Sequence, residues 1–188
     1  MLRSFLASVA LGWTLVAFSP APALAQVKIL GKGPGEDCYK AAVERRTHFA
    51  AVDLCDSALL VETSTRNRSA TFVNRGLLHM FGERWEAARD DFDKALALDK
   101  RLAEAYLNRG ALALYRKDYA AALTDLDQAI LLAEDRLPQA YFNRALAREG
   151  KGDVAGAYQD LLAAQTLAPA WELPKAELKR YRVLSSGG

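Results

Sequence analysis

Residues 69–102 read SATFVNRGLLHMFGERWEAARDDFDKALALDKRL, and the run Phe72-Val73-Asn74-Arg75-Gly76 inside them returns twice. It returns as Tyr106-Leu107-Asn108-Arg109-Gly110 and as Tyr141-Phe142-Asn143-Arg144-Ala145. Each run is followed in phase by two alanines, Ala88 and Ala95, Ala122 and Ala129, Ala157 and Ala164. A chain that repeats itself every 34 or 35 residues is built from stacked copies of one supersecondary unit, none of which can bury its apolar face alone. The units start at Ser69, Ala103 and Pro138.

Inside a unit, apolar residues at helical spacing run from about position 2 to 14 and stop at Gly82-Glu83, Lys117-Asp118 or Gly150-Lys151-Gly152-Asp153. A second helix is predicted from Trp85, Tyr119 and Val154. Positions 8, 20 and 27 hold only Gly or Ala (Gly76, Ala88, Ala95 in the first unit), which lets two antiparallel helices approach closely. The pattern predicts an all-α protein.

With an aromatic at position 4, small residues at 8, 20 and 27 and Phe92, Leu126 or Leu161 at 24, the unit resembles the tetratricopeptide repeat. It departs at position 7, where Arg replaces the usual Leu, and at 32, where only Pro169 is the expected proline. The resemblance implies a right-handed α-solenoid of helix-turn-helix hairpins that binds a protein segment on its concave face and carries no catalysis. It implies that first-helix residues line that groove: Val73, Asn74, Leu77, Phe81, Leu107, Asn108, Tyr115, Phe142, Asn143 and Leu146. Three asparagines in line could satisfy the main chain of an extended segment, since each carries a donor and an acceptor, while apolar neighbours hold side chains. Part of this surface could instead be covered by the chain's own tail. The subclass of the family that grips acidic chain ends uses lysines in the groove, and Val73, Leu77 and Gln139 do not supply them.

Arg75 and Asp91, Arg109 and Asp125, and Arg144 and Asp160 are each 16 residues apart, at positions 7 and 23. A hairpin turning near position 15 sets these opposite one another, so they are expected as hydrogen-bonded ion pairs. The other reading gives the arginines to an acidic ligand.

The ends differ in kind from the repeats. Residues 1–25 read as a secretory signal: Arg3, an apolar run from Phe5 to Phe18, and Ala23-Leu24-Ala25 before a cut at Gln26. The run falls short of the roughly 20 residues a bilayer span needs, and no stable membrane insertion is expected after cleavage. Residues 26–35 read as a flexible, glycine-rich lead-in, and 36–68 as a degenerate first repeat in which Phe49, Ala51 and Ala58 mimic a second helix. Repeats 69–102, 103–137 and 138–171 follow, then a capping helix over 172–184 containing Pro174, Leu178, Tyr181 and Leu184, and a disordered tail at 185–188. Cys38 and Cys55 fall on the two helices of the degenerate hairpin, and an exported context allows their disulfide; two buried free thiols are the alternative.

Composition narrows the function classes. The formal charge is +2, falling to +1 without Arg3, with both signs interspersed, which gives no basis for nucleic-acid binding. Two histidines, His48 and His79, and no zinc cluster, phosphate loop or nucleophile elbow leave no catalytic set. No cofactor or metal is expected. Asn67-Arg68-Ser69 matches a glycosylation triplet. The expectation is an exported, non-catalytic module of a bacterial periplasm that binds a protein segment, an adaptor or assembly factor. The alternative is a self-associating envelope protein that uses its groove or open repeat end to form homo-oligomers.

Overall fold

In a computed structural model of the chain, the residues described are 8–11, 20–29, 33–133 and 137–184. The basic start of the leader, most of its apolar run and the expected tail at 185–188 lie outside them. Eight helices form four antiparallel hairpins: α1 (Pro34–Val43) with α2 (Phe49–Val61), α3 (Thr65–Phe81) with α4 (Trp85–Leu98), α5 (Ala103–Tyr115) with α6 (Tyr119–Ala133), and α7 (Pro138–Gly150) with α8 (Val154–Leu167). A short α9 (Glu172–Leu178) follows. Two four-residue strands, β1 (Ser8–Leu11) and β2 (Tyr181–Leu184), pair antiparallel with Val9 opposite Val183. The architecture is the α-solenoid.

Small residues set how closely the helices of a hairpin approach. A β-carbon on Gly76 would lie 2.6 Å from the Phe92 ring, and one on Gly110 would lie 2.9 Å from Leu126. Phe92, Leu126 and Leu161 are buried against the alanines of positions 20 and 27. The core is therefore a row of four similar clusters, one at each hairpin.

All four hairpins turn through one device. The N–H of Glu83 donates to Met80 and that of Arg84 to His79; Lys117 and Asp118, Gly152 and Asp153, and Arg45 and Arg46 repeat this pair of bonds. These bonds satisfy carbonyls that the helix end would otherwise leave unpaired. The turn needs one left-handed residue, and Arg45, Glu83, Lys117 and Gly152 supply it with φ of 52°, 57°, 58° and 84°. Only the last is the glycine that such a conformation favours.

Two boundaries differ from the sequence reading. Helix α3 begins at Thr65, four residues before the repeat unit starts at Ser69, because Ser64 caps it by accepting the Asn67 N–H at 3.4 Å. The glycosylation triplet Asn67-Arg68-Ser69 thus lies inside a helix with Ser69 buried. The capping helix ends at Leu178 instead of running on to 184. Arg180 and Tyr181 are drawn to Glu149, at 2.7 and 2.9 Å, and the chain then continues as β2. The cover over the last repeat is made by Trp171, whose ring lies 5.0 Å from Phe142, together with Leu178 and Tyr181. Burial and the carboxylate of Glu149 both raise the Tyr181 pKa, keeping its hydroxyl protonated as the donor.

Candidate functional site: the concave groove

Asn74, Asn108 and Asn143 sit at the same place in α3, α5 and α7, and the helix stacking brings their side chains into one line. All three are fully buried. What buries them is the chain's own residues 20–29, which run along the concave face without helix or strand. The Ala23 N–H donates to Asn143 Oδ1 at 2.7 Å, and Asn143 Nδ2 donates back to the Ala23 carbonyl at 2.7 Å. Asn108 clasps Ala25 in the same way at 3.0 and 2.7 Å, and Asn74 clasps Val27 at 3.0 and 2.8 Å.

The geometry follows from extended backbone. In a strand the N–H and C=O of one residue point to the same edge, and those of the next residue point to the other. A primary amide carries one acceptor and one donor side by side, so it can engage both groups of one residue. Residues 23, 25 and 27 face the asparagines, while 24 and 26 present their main chain away from them. The segment runs opposite to the repeats, with its earlier residues on the last repeat.

Apolar contacts accompany each clasp. Ala23 packs against the cluster of Phe142 and Leu146, Ala25 against that of Leu107, and Leu24 and Val27 against that of Val73, Leu77 and Met80. Ile29 is buried beside Gly35. The lead-in at 26–35 is thus tied down over residues 26–29, contrary to the flexible stretch its glycines suggested. Six neutral hydrogen bonds contribute about 1 kcal/mol each, and ordering a residue costs about 1–2 kcal/mol, so occupancy of the groove is a close balance of similar terms.

The other expected groove residues divide into two sets. Val73, Leu77, Leu107 and Phe142 are fully buried and serve the core as much as the groove. Tyr115 is exposed and stacks on Trp85 at 5.4 Å, and with Pro20, Pro22, Tyr119 and Leu146 it lines a cleft of about 410 Å³ at the groove's edge. Phe81 borders a smaller cleft with Leu24 and Trp85. A larger cleft of about 490 Å³ lies beside Arg109, but Arg109 is bound by Asp93 and Asp125, and Arg116 by Glu86.

The repeated arginines form a second line. Arg75 donates through Nε and one terminal nitrogen to both oxygens of Asp91, at 2.8 and 2.6 Å. Arg109 holds Asp125 at 2.8 and 2.7 Å, and Arg144 holds Asp160 at 2.9 and 2.7 Å. Each guanidinium lies over the aromatic residue three positions earlier, Phe72, Tyr106 or Tyr141, with centroids 5.3, 5.6 and 5.3 Å away. Burial pulls the Arg75 and Arg144 pKa values down, yet their aspartates outweigh it. For Arg109 the hydrogen bond to Asp125 is the leading effect. All three are raised.

A third contact was missed from sequence. The remaining terminal nitrogen of each arginine reaches back to the preceding hairpin: Arg75 to Asp56, Arg109 to Asp93 at 2.6 Å, and Arg144 to Asp127 at 2.7 Å. The signal was present in Asp91-Phe92-Asp93 and Asp125-Leu126-Asp127, against Asp160-Leu161-Leu162 in the last hairpin, after which no further repeat carries the fork arginine.

Cys38 and Cys55 are joined, with Cα atoms 4.7 Å apart. Cys55 stands three residues before Ala58, as Phe92 stands before Ala95. Cys38 stands seven before the left-handed Arg45, as Gly76 stands before Glu83. The disulfide therefore occupies the place where Gly76 meets Phe92 in the next hairpin. Among the described residues no cluster of His, Cys, Asp or Glu could hold a metal ion, and no helix is long and apolar enough to cross a membrane.

No family model matches the chain, and no curated protein is significantly similar to it. Solved structures are similar. An Arabidopsis OM64 TPR domain is 26% identical over 62% of this chain and 96% of its own, with a TM-score of 0.59. The second TPR domain of human RPAP3, in complex with the HSP70 peptide SGPTIEEVD, is 26% identical over 62% and 97%, with a TM-score of 0.58. MamA of Desulfovibrio magneticus RS-1 is 20% identical over 78% and 82%, with a TM-score of 0.62.

Proposed function

We propose that this chain, a tetratricopeptide-repeat array by fold, is an exported adaptor or assembly factor of the bacterial periplasm that holds an extended segment of another protein in its concave groove. The observation that carries the reading is the row of asparagine clasps, each spending its donor and its acceptor on the main chain of one residue. Such contacts are indifferent to side-chain identity, so they set register and direction. The apolar walls from Phe142, Leu146 and Leu107 supply selectivity and much of the affinity. The peptide-bound RPAP3 domain supports peptide binding as the use of this fold, although the acidic peptide in that complex has no lysine-lined counterpart here. Export rests on the leader read at residues 1–25, with cleavage between Ala25 and Gln26.

The test is a photoreactive residue in place of exposed Lys117, beside the groove-edge cleft, in protein expressed in its native envelope. A single envelope protein should be crosslinked, through one short stretch of its sequence. Asn108→Ala with Tyr115→Ala should abolish the crosslink while helical content stays unchanged, and stability should fall by only about 1 kcal/mol for the lost Trp85 stacking. Recovery of the same partner at wild-type levels by the double variant would place binding on another surface.

A further inference from the structure

We infer that Pro20–Ile29 is a tethered occupant that closes the groove against outside segments, and that severing the chain after Ala25 opens it. The inference rests on the proposed function and adds its control. Three features of the seated segment carry it. First, every clasp is filled from within the chain, so an outside segment meets no free asparagine among the three. Second, the occupant is tethered: Ile29 is only five residues from the first residue of α1, and an outside segment must compete against a local concentration of about millimolar. Third, the expected cut falls between clasps. Ala23 and Ala25 lie on one side of the Ala25–Gln26 amide and Val27 on the other, so hydrolysis leaves the array one tethered clasp of three.

The step is an amide hydrolysis by a leader-removing peptidase. Water adds its hydroxyl to the Ala25 carbonyl carbon, its proton goes to the Gln26 nitrogen, and the C–N bond breaks. The released piece then holds its two clasps, and its pairing of β1 with β2, only in trans, without the covalent tether. The Asn74 clasp remains on Val27, while Asn108 and Asn143 are left to an outside segment lying in the same direction. The seated sequence also states what that segment needs. Small residues, as at Ala23 and Ala25, stand where the main chain meets the amides, and a larger apolar residue such as Leu24 sits between them.

The probe is a fluorescent synthetic peptide of residues 20–29, PAPALAQVKI, added to the full chain. Wild type should bind it at least tenfold more weakly than the full chain carrying Ala23→Pro and Ala25→Pro, which removes two N–H donors of the internal segment and touches no helix. Adding Asn108→Ala to that variant should weaken binding at least tenfold again. Exported chain shown by intact mass to start at Gln26 should behave as the proline variant does. Equal binding by wild type and the proline variant, no binding by either, or an exported chain that keeps Met1 overturns the inference. If the proline variant does not fold, amide exchange in wild type decides. Protection alternating at Ala23, Ala25 and Val27, with Leu24 and Gln26 unprotected, supports the seated segment, and uniformly fast exchange rejects it. An envelope partner crosslinked while the leader is intact would refute this closure and leave the proposed function standing. Peptide binding without any envelope crosslink would do the reverse.

Discussion

The first hairpin and the three that follow solve one mechanical problem by different chemistry. In α3–α8 an arginine of the first helix grips an aspartate of the second with two parallel hydrogen bonds, and close packing beside it depends on a glycine or alanine. In α1–α2 the residues at the arginine and aspartate places are Asp37 and Leu54, which cannot form that pair. The helices there are joined instead by Cys38 and Cys55, at the neighbouring place where Gly76 meets Phe92. The comparison teaches that what the hairpin requires is a fixed distance between helices at that level. A covalent bond or an ion-pair fork supplies it equally. The covalent version ties integrity to an oxidising compartment, whereas the fork does not.

Breaking a fork is expected to have the largest effect. Asp91 is 2% exposed, and Asp91→Ala leaves Arg75 half-buried with only the exposed Asp56 as its partner. The loss should be about 4 kcal/mol in urea unfolding, and a double-mutant cycle with Arg75 should show strong coupling. No coupling would mean that the fork orients side chains without stabilising the hairpin. The equivalent Asp125→Ala should cost less, since that carboxylate and Arg109 are more exposed.

Reducing the disulfide should cost slightly less, about 3 kcal/mol for a link closing 17 residues, and the loss should be confined to the first hairpin. Hydrogen exchange in reductant should show α1 and α2 losing protection while α5–α8 keep theirs. Uniform loss along the array would show that the first hairpin nucleates the rest.

A smaller change sharpens the packing side of the comparison. Gly76→Ala puts a β-carbon 2.6 Å from Phe92 and should cost about 2 kcal/mol. Pairing it with Phe92→Leu, the residue used in the next hairpin, should recover part of this, as thermal melting would report.

The smallest effect concerns pH and separates the hairpins again. Burial lowers the His79 pKa, and Arg84 donates to its Nδ1 at 2.9 Å, so the folded state holds this imidazole neutral. The unfolded chain therefore takes up the proton first. This contribution to stability is complete above about pH 6.5 and is lost as pH falls through the folded pKa. His79→Gln should flatten that slope for the second hairpin without changing the first.

The sequence made the repeats legible because packing imposes residue size at fixed spacing, and the forks because opposite charges recur 16 residues apart. The asparagine line was legible for the same reason. The occupant was not. Ala23-Leu24-Ala25 carries the small-x-small pattern of a cleavage site, and that reading hid the two-residue alternation Ala23, Ala25, Val27 that matches three asparagines. Nor does local spacing show that residues 20–29 fold back over 83 or 120 positions to reach Asn108 and Asn143. The second aspartate of each fork was overlooked because its partner belongs to the neighbouring hairpin, a relation that a search within one unit does not see.

The asparagines also give the groove a unit of measure. Each step of the array advances by one hairpin while the seated chain advances by two residues, about 6.6 Å of extended backbone. The array thus counts its seated segment in dipeptides. A slip of one residue turns every side chain over, so only even shifts preserve the match between small residues and amides. The count is finite at one end: the first hairpin carries Glu36 where its successors carry asparagine, nine residues before the left-handed turn, so counting stops at Asn74. An array lengthened by one copy of the 103–137 unit should clasp a segment two residues longer, so the number of repeats that bear the amide sets the length of chain the groove can hold.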